Sequence, residues 1–232
     1  MAKDQRPVIA GSTDVDAFLK KVASAKPASG AGRLIFALDA TASREATWDQ
    51  ASHLQSGMFE TTQALGNLAL QLCYYRGYRE FEASSFQTDS QNLAREMLQV
   101  RCLGGLTQIR RVLEHGLVEH RAQRIAGLVF IGDAIEESPD VLCHLAGQCG
   151  LLNLPLFIFQ EGGDSAVQRV FQQMAQLSGG AWAPFNRESA DSLRALLQAV
   201  AVFAAGGRKA LADYSAGKGT DVKRLTRQLR LT

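Results

Sequence analysis

The sequence predicts an α/β fold in which helices cover both faces of a mostly parallel sheet. The first observation is composition, since 232 residues with 46% hydrophobic and 21% charged side chains are typical of a globular domain. The second is a series of short, continuous apolar runs of the kind that form strands buried on both faces. The third is that these runs alternate with longer stretches of helical apolar spacing. This alternation is typical of βα units, which build parallel sheets.

The chain is predicted to have three parts. Residues 1–32 form an N-terminal segment and linker, because the sequence PASGAG at residues 27–32 consists of turn-forming and small residues. Residues 33–205 form the domain. Residues 206–232 form a C-terminal tail that begins with glycines and then becomes basic.

The first half of the domain is predicted to contain a buried strand, a long helix and a hairpin. Residues 34–38 are a continuous apolar run, and residues 45–70 carry apolar side chains at mostly helical spacing. Residues 72–75 and 78–86 are predicted as two strands joined by a tight turn. Gly77 supplies the backbone freedom that such a turn requires.

The second half continues the alternation of helices and strands. One helix is predicted to follow Pro139, and Ser189 is a favourable cap for another. The predicted helices cover residues 92–100 and 108–121, a stretch after Pro139, residues 166–177, and a stretch from Ser189 to about Ala205. The predicted strands cover residues 127–131, 155–159 and 181–185.

The charge layout argues against a nucleic-acid-binding domain. The net charge of the chain is +2, but every lysine lies at or before Lys26 or at or after Lys209. Residues 33–207 carry 13 basic and 18 acidic side chains, so the body of the protein is acidic. Phosphate binding depends on clustered cations. A nucleic-acid partner is therefore not expected for the domain.

The cysteines and the hydropathy pattern favour a cytoplasmic protein. The four cysteines form no CxxC pair and lie in apolar or helical contexts, which predicts buried free thiols. The N-terminus lacks an apolar signal region, and the longest apolar run, residues 199–205, is too short to span a bilayer.

Oxygen-bearing side chains follow two of the predicted strands and one glycine-containing loop. Asp39, Thr41 and Ser43 come directly after the first strand, and Asp133 follows the strand at residues 127–131. Thr107 ends a Gly-Gly-Leu-Thr loop just before a helix. Ligands of open α/β sheets bind beyond the carboxyl ends of the strands. An all-oxygen set of this kind suits Mg²⁺ or Mn²⁺ better than zinc or copper.

These three segments resemble the metal-ion-dependent adhesion site of von Willebrand factor type A domains. The matching motifs are DATAS at residues 39–43, GGLT at residues 104–107 and FIGD at residues 130–133. The resemblance covers about residues 33–205 and implies a three-layer, Rossmann-like fold with one antiparallel edge strand. Thr41 stands where the commonest form of the family has serine. It retains a hydroxyl, as in the intracellular copines, which this chain resembles in that respect.

The resemblance also implies residue roles and a function. Thr41 and Ser43 would offer hydroxyls directly to the metal, with Thr107 nearby, while Asp39 and Asp133 would act largely through water and hydrogen bonds. The electron-poor ion would keep an open position for a glutamate or aspartate of a partner protein. The implied function is a metal-dependent protein-binding module or scaffold without covalent chemistry.

Structural alternatives exist for each motif. Ser43 is a favourable N-cap for a following helix, Gly-Gly-x-Thr is a common helix entry, and aspartate is a common turn residue after a strand. A metal-free structural domain of the same fold therefore remains an alternative. Arg44, Glu45, Glu136 and Glu137 are expected at the surface, chiefly as solvated helix ends.

The rival enzymatic interpretation is a haloacid-dehalogenase-like phosphohydrolase with Asp39 as the nucleophile. Gly132-Asp133 followed by Glu136 and Glu137 resembles the metal segment of such enzymes. Against it, the acid/base position two residues after the nucleophile is Thr41, a poor proton donor at neutral pH. The chain also lacks any lysine between Lys26 and Lys209 to balance phosphoryl charge.

Overall fold

The computed structural model describes residues 32–45, 68–185, 198–204 and 210. Its strands, in chain order, are β1 (Gly32–Asp39), β2 (Leu68–Arg76), β3 (Glu80–Ala83), β4 (Gly127–Gly132), β5 (Leu156–Glu161) and β6 (Ala181–Phe185). Its helices are α1 (Ser90–Gln99), α2 (Ile109–Ala122), α3 (Pro139–Leu151), α4 (Ser165–Leu177) and a segment, α5, at residues 198–204. A short 3-10 turn, Ala42–Arg44, follows β1.

Within the described residues the strands form one sheet in the order β3-β2-β1-β4-β5-β6. β3 pairs antiparallel with β2, and all other neighbours are parallel. The predicted sheet, mostly parallel with one antiparallel edge strand, is therefore confirmed. The chain leaves β1 toward β2 on one side and later returns to β4 on the other, so the strand order reverses between β1 and β4. Such a switch point is where open α/β sheets bind ligands.

The sheet separates two apolar layers because neighbouring side chains of a strand point to opposite faces. Leu34 and Phe36 of β1 pack in one layer with residues of α1 and α5. Ile35 and Ala37 pack in the other layer with residues of α2, α3 and α4. Burial on both faces explains why the strand appears in the sequence as a continuous apolar run. It also confirms the three-layer prediction.

Two predicted elements differ from the structure. Residues 68–70 belong to β2 and not to the end of a helix. Leu68, Leu70 and Leu72 alternate along the strand, and their side chains share one buried layer. This period of two is typical of a strand, whereas the prediction had extended the helical spacing of the preceding residues to Leu70. The second hairpin strand is shorter than the predicted residues 78–86, because β3 covers Glu80–Ala83.

The predicted turn of this hairpin is confirmed. Gly77 has a φ of 58°, a left-handed conformation that side chains with a Cβ adopt at a cost. The bulk of the predicted long helix, the N-terminal segment, residues 186–197 and the basic tail beyond residue 210 lie outside the described residues. The three-part division of the chain therefore remains a prediction.

The cysteines and helices bear on two further expectations. All four cysteines are free, with Cys73 and Cys149 buried but Cys102 and Cys143 only half-buried. Free thiols are thus confirmed, and full burial is wrong for two of them. In the part of the chain that the structure describes, no helix has the length and apolar character required to cross a membrane.

Candidate metal centre

The register of the sheet brings the two predicted aspartate positions to the same edge. Leu38 of β1 is paired with Ile131 of β4, so both strands end beside each other. A Cβ atom built on Gly132 would lie 3.4 Å from the Cβ atom of Asp39. Asp39 and Asp133 therefore occupy the switch point, as the sequence predicted.

The glycine-containing loop joins this edge through its backbone. Thr41 forms an isolated parallel bridge with Leu103, and the Leu103 amide donates to the Ala40 carbonyl at 3.0 Å. Gly105 lies so close to the carbonyl of Gly77 that a Cβ there would overlap it, so this loop also packs on the hairpin turn. Of the two glycines at the start of GGLT, Gly105 is thus required for a close approach of backbones, whereas Gly104 lies in open space.

Asp39 is fully buried, and both of its carboxylate oxygens have partners. Oδ1 accepts from the Thr41 amide at 2.8 Å, and Oδ2 accepts from the Tyr75 hydroxyl at 2.8 Å. Burial raises the pKa of the Asp39 carboxyl, and the hydrogen bonds from Thr41 and Tyr75 offset only part of that increase. Burial, with Asp39 as a neighbour, also raises the pKa of Tyr75, so its hydroxyl stays a donor.

The two hydroxyls that follow Asp39 lie next to each other. Thr41 Oγ1 is 3.0 Å from Ser43 Oγ, with Thr41 buried and Ser43 exposed. Ser43 sits inside the 3-10 turn and not at its N-cap, which is Thr41 and carries no side-chain cap bond. The two hydroxyl oxygens therefore lie within hydrogen-bonding distance of each other just after β1.

Thr107 is held by the loop between β4 and α3. Its hydroxyl donates to Glu137 Oε2 at 2.9 Å and accepts from the Glu136 amide at 2.9 Å. Its own amide donates to Glu136 Oε2 at 2.7 Å. The other oxygen of Glu137 accepts from the Arg110 amide in the first turn of α2 at 2.8 Å. Glu137, expected chiefly as a solvated helix end, thus holds the hydroxyl of a predicted metal ligand, whereas the Glu136 side chain contacts only the backbone of Thr107.

Asp133 differs from the other predicted ligands because one of its oxygens has no partner. Oδ1 is buried, and no group among the described residues donates a hydrogen bond to it. A buried, unsatisfied carboxylate oxygen is costly unless a cation or a donor balances it. This orphan atom, together with an all-oxygen donor set, fits a hard divalent cation.

The described residues do not indicate a different kind of metal site. Among the described residues, no group of three or more His, Cys, Asp or Glu side chains could hold a metal ion. The predicted set contains two carboxylates and three hydroxyls. Any cation bound there would depend on the hydroxyl ligands.

Arg44 was expected at the surface, and that expectation is wrong. The side chain is buried, with Nε donating to Glu161 Oε2 at 2.9 Å and one terminal nitrogen donating to the Asp39 carbonyl at 2.6 Å. It ties the 3-10 turn after β1 to the end of β5. Because Arg44 donates to the Asp39 carbonyl, it helps to hold in place the backbone that carries the Asp39 side chain.

Sequence reasoning missed Tyr75 and Glu161 as parts of this site. Tyr75 is paired with Asp39 across β1 and β2, and that register followed only from knowing where β2 begins. Glu161 ends an apolar strand much as Asp39 does, so an acid at a strand end was a signal that could have drawn attention to it.

Neither a protein-family model nor a curated protein matches the sequence of this chain. Solved structures do match in three dimensions. An aerotolerance-related membrane protein from Bacteroides fragilis has a TM-score of 0.59 at 12% identity, covering 73% of this chain and 98% of its own. The VWA domain of SpRpn10 has a TM-score of 0.59 at 13% identity, covering 71% and 94%.

A third structure is the manganese-loaded Plasmodium vivax TRAP protein, with a TM-score of 0.54 at 14% identity and coverage of 72% of this chain and 73% of its own. At identities this low the likeness concerns the fold. The sheet order, the antiparallel edge strand and these structural neighbours agree, and the chain has the fold of von Willebrand factor type A domains.

Proposed function

We propose that this protein is a metal-dependent protein-binding module. A divalent cation, Mg²⁺ or Mn²⁺, is held at Asp39, Thr41, Ser43, Thr107 and Asp133 and bridges to an acidic side chain of a partner protein. The observation that carries the proposal is the buried Asp133 Oδ1 atom without a hydrogen-bond partner among the described residues. It lies at the switch point, beside a pair of adjacent hydroxyls on the neighbouring strand end.

The ligand chemistry explains why a partner acid is the expected bridge. The cation would supply positive charge at the surface, and hydroxyl ligands do not neutralise it. Asp39 has both oxygens engaged by Thr41 and Tyr75, so its charge acts mainly through hydrogen bonds. A carboxylate from another protein is the natural ligand for the remaining charge.

The surface around the site fits a role in protein binding. Tyr78, Leu103 and Leu106 are exposed at 78%, 46% and 50%. They lie on the hairpin turn and the glycine-containing loop, which contact each other beside the site. A single metal bridge provides modest affinity, so these apolar side chains would supply much of the partner contact.

The fold supports the same proposal. One structural neighbour, the TRAP protein, is manganese-loaded, which is consistent with a divalent cation in this chain. The free thiols of the chain fit a reducing compartment, so we place the module in the cytoplasm.

A phosphohydrolase is less well supported. A nucleophilic Asp39 would need a free carboxylate oxygen facing the substrate, but the side chain is fully buried and both oxygens accept hydrogen bonds. Hydrolysis of an aryl phosphate that is lost in Asp39→Asn would favour the enzyme over the binding module.

The test uses Mg²⁺ itself as the probe. Isothermal titration and thermal unfolding of the full chain should show saturable Mg²⁺ binding and a rise in melting temperature, because ligands that bind the folded state stabilise it. Absence of both effects would support the metal-free structural domain instead. Partner capture that EDTA reverses, and that Asp133→Ala abolishes, would then test the bridge to a protein.

A further inference from the structure

We propose that Glu137 is the positioning residue of the metal centre, because it sets the direction of the Thr107 hydroxyl. This inference rests on the proposed function and names a residue outside the five ligands. Glu137 would not touch the cation. It acts through the proton of Thr107.

The hydrogen bonds of Thr107 leave its hydroxyl one orientation. A hydroxyl has one proton and two acceptor positions. The Glu136 amide can only donate, so it fills one acceptor position of Thr107 Oγ1 at 2.9 Å. The Glu137 carboxylate can only accept, so the proton points at Glu137 Oε2, also at 2.9 Å. One acceptor position remains for a cation.

Glu137 is itself fixed in place. Its second oxygen accepts from the Arg110 amide at 2.8 Å, in the first turn of the 14-residue helix α2. The dipole of that helix favours a negative charge at this end. A hydrogen bond from Thr107 to an anion also makes the hydroxyl oxygen a better electron donor. Groups of this kind, one step removed from a metal, orient its ligands and raise their affinity.

A nearly isosteric substitution reverses this arrangement. In Glu137→Gln the side chain keeps one acceptor oxygen, and the Arg110 amide, which can only donate, requires it. The amide nitrogen then faces Thr107 and donates to the second acceptor position of its hydroxyl. The Thr107 proton has to turn toward the cation. The substitution therefore replaces a lone pair in the metal centre with a hydrogen.

Glu136→Gln is the matched control. It removes the same charge from the neighbouring residue, but Glu136 Oε2 accepts a single bond from the Thr107 amide, which an amide oxygen also accepts. The backbone donor of Glu136 is unchanged. This variant should keep the Thr107 hydroxyl in its original orientation.

Glu137→Met separates positioning from general stability. Methionine offers neither donor nor acceptor, so the Thr107 hydroxyl is free to present a lone pair, while the Arg110 amide loses its partner. The melting temperature in EDTA should fall in the order wild type, Glu137→Gln, Glu137→Met. Magnesium affinity should fall in a different order: wild type, Glu137→Met, Glu137→Gln.

The experiment is Mg²⁺ titration calorimetry on the full chain, with thermal unfolding in EDTA for each variant. We expect Glu137→Gln to weaken Mg²⁺ binding by about 10- to 100-fold and Glu137→Met by about three- to tenfold. Glu136→Gln should stay within about threefold of wild type, because the Glu136 side chain is exposed and solvent screens its charge.

Equal Mg²⁺ affinities of Glu137→Gln and Glu136→Gln would overturn the assignment, as would an affinity order that simply follows the melting temperatures. If Glu137→Gln did not fold, Glu137→Met compared with Glu136→Gln would decide, with equality again overturning it. A wild-type chain that binds no Mg²⁺ would refute the proposed function as well. If the wild-type chain binds Mg²⁺ and the two glutamine variants bind it with equal affinity, only the role of Glu137 would be refuted.

Discussion

An acid stands at the carboxyl end of each of the neighbouring strands β4 and β5, Asp133 just after β4 and Glu161 as the last residue of β5, and the two acids have opposite surroundings. Gly132 is paired with Gln160, so Asp133 and Glu161 are the next residues of adjacent parallel strands. Glu161 accepts from Arg44 at 2.9 Å, whereas Asp133 Oδ1 is buried without a donor among the described residues. One carboxylate is balanced by a cation of the chain itself, and the other is the carboxylate proposed above to bind a cation from solution. Corresponding positions of neighbouring strands can therefore differ in whether the chain provides the counter-charge.

The largest expected effect comes from removing the internal counter-charge. Arg44→Met leaves Glu161 buried without its cation and the Asp39 carbonyl without a donor, so the free energy of unfolding should fall by about 3–5 kcal/mol. Urea denaturation measures this loss. Arg110→Met is the control, because its ion pair with Glu114 is exposed to solvent and should contribute little to stability. A loss of the same size in both variants would mean that the Arg44 pair is not structural.

A smaller loss is expected when one hydrogen bond to Asp39 is removed. Tyr75→Phe deletes the hydroxyl that donates to Asp39 Oδ2 and leaves a buried oxygen unsatisfied, which should reduce the free energy of unfolding by about 1–3 kcal/mol. Tyr78→Phe serves as the control, since that side chain is 78% exposed. Equal urea midpoints for wild type and Tyr75→Phe would contradict the proposed support of Asp39.

The comparison of the two acids also predicts one substitution that raises the stability of the metal-free protein. Asp133→Ala removes the orphan oxygen, so the metal-free protein should become more stable by about 1 kcal/mol while its stabilisation by Mg²⁺ disappears. Thermal unfolding in EDTA and in Mg²⁺ measures both changes. Glu161→Ala should behave in the opposite way in EDTA, because it removes the carboxylate that balances the charge of the buried Arg44. Destabilisation of the EDTA-treated protein by Asp133→Ala would show that Asp133 is structural.

The smallest effect concerns pH and a residue away from the two acids. His115, on α2, contacts Gln71 at 2.8 Å, and burial lowers the pKa of His115 below its ordinary value of 6.5. The unfolded chain therefore binds the proton more readily. Stability should be unaffected above pH 6.5 and should decrease as the pH falls below it toward the pKa of the folded state.

His115→Gln should reduce the loss of stability at low pH, which is measured as the change in urea midpoint between pH 7.5 and about 5. Burial also lowers the pKa of His120, so His120→Gln is the parallel variant that identifies its share. If stability still depended on pH to the same extent in both variants, the pH sensitivity would lie in groups other than these two histidines.

Parts of the fold were predictable because they depend on local patterns. The continuous apolar run of β1 predicted a strand buried on both faces, and the glycine in the hairpin turn predicted its left-handed φ. The predicted start of β2 was wrong because the apolar side chains of residues 68–70 fit a helical and an alternating pattern equally well. Pairing of Leu68 with Gly32 decided between them.

The candidate site likewise has features that local sequence patterns predict and features that depend on tertiary contacts. The sequence by itself determined that an aspartate, two hydroxyls and a second aspartate follow strands that end at one edge, because parallel strands align their carboxyl ends. Only the tertiary structure decided which of these oxygens already have partners. Arg44 meets Glu161 across 117 positions of the chain, and Thr107 meets Glu137 across 30. Contacts between such distant residues depend on how the layers pack, and no local period in the sequence encodes that packing.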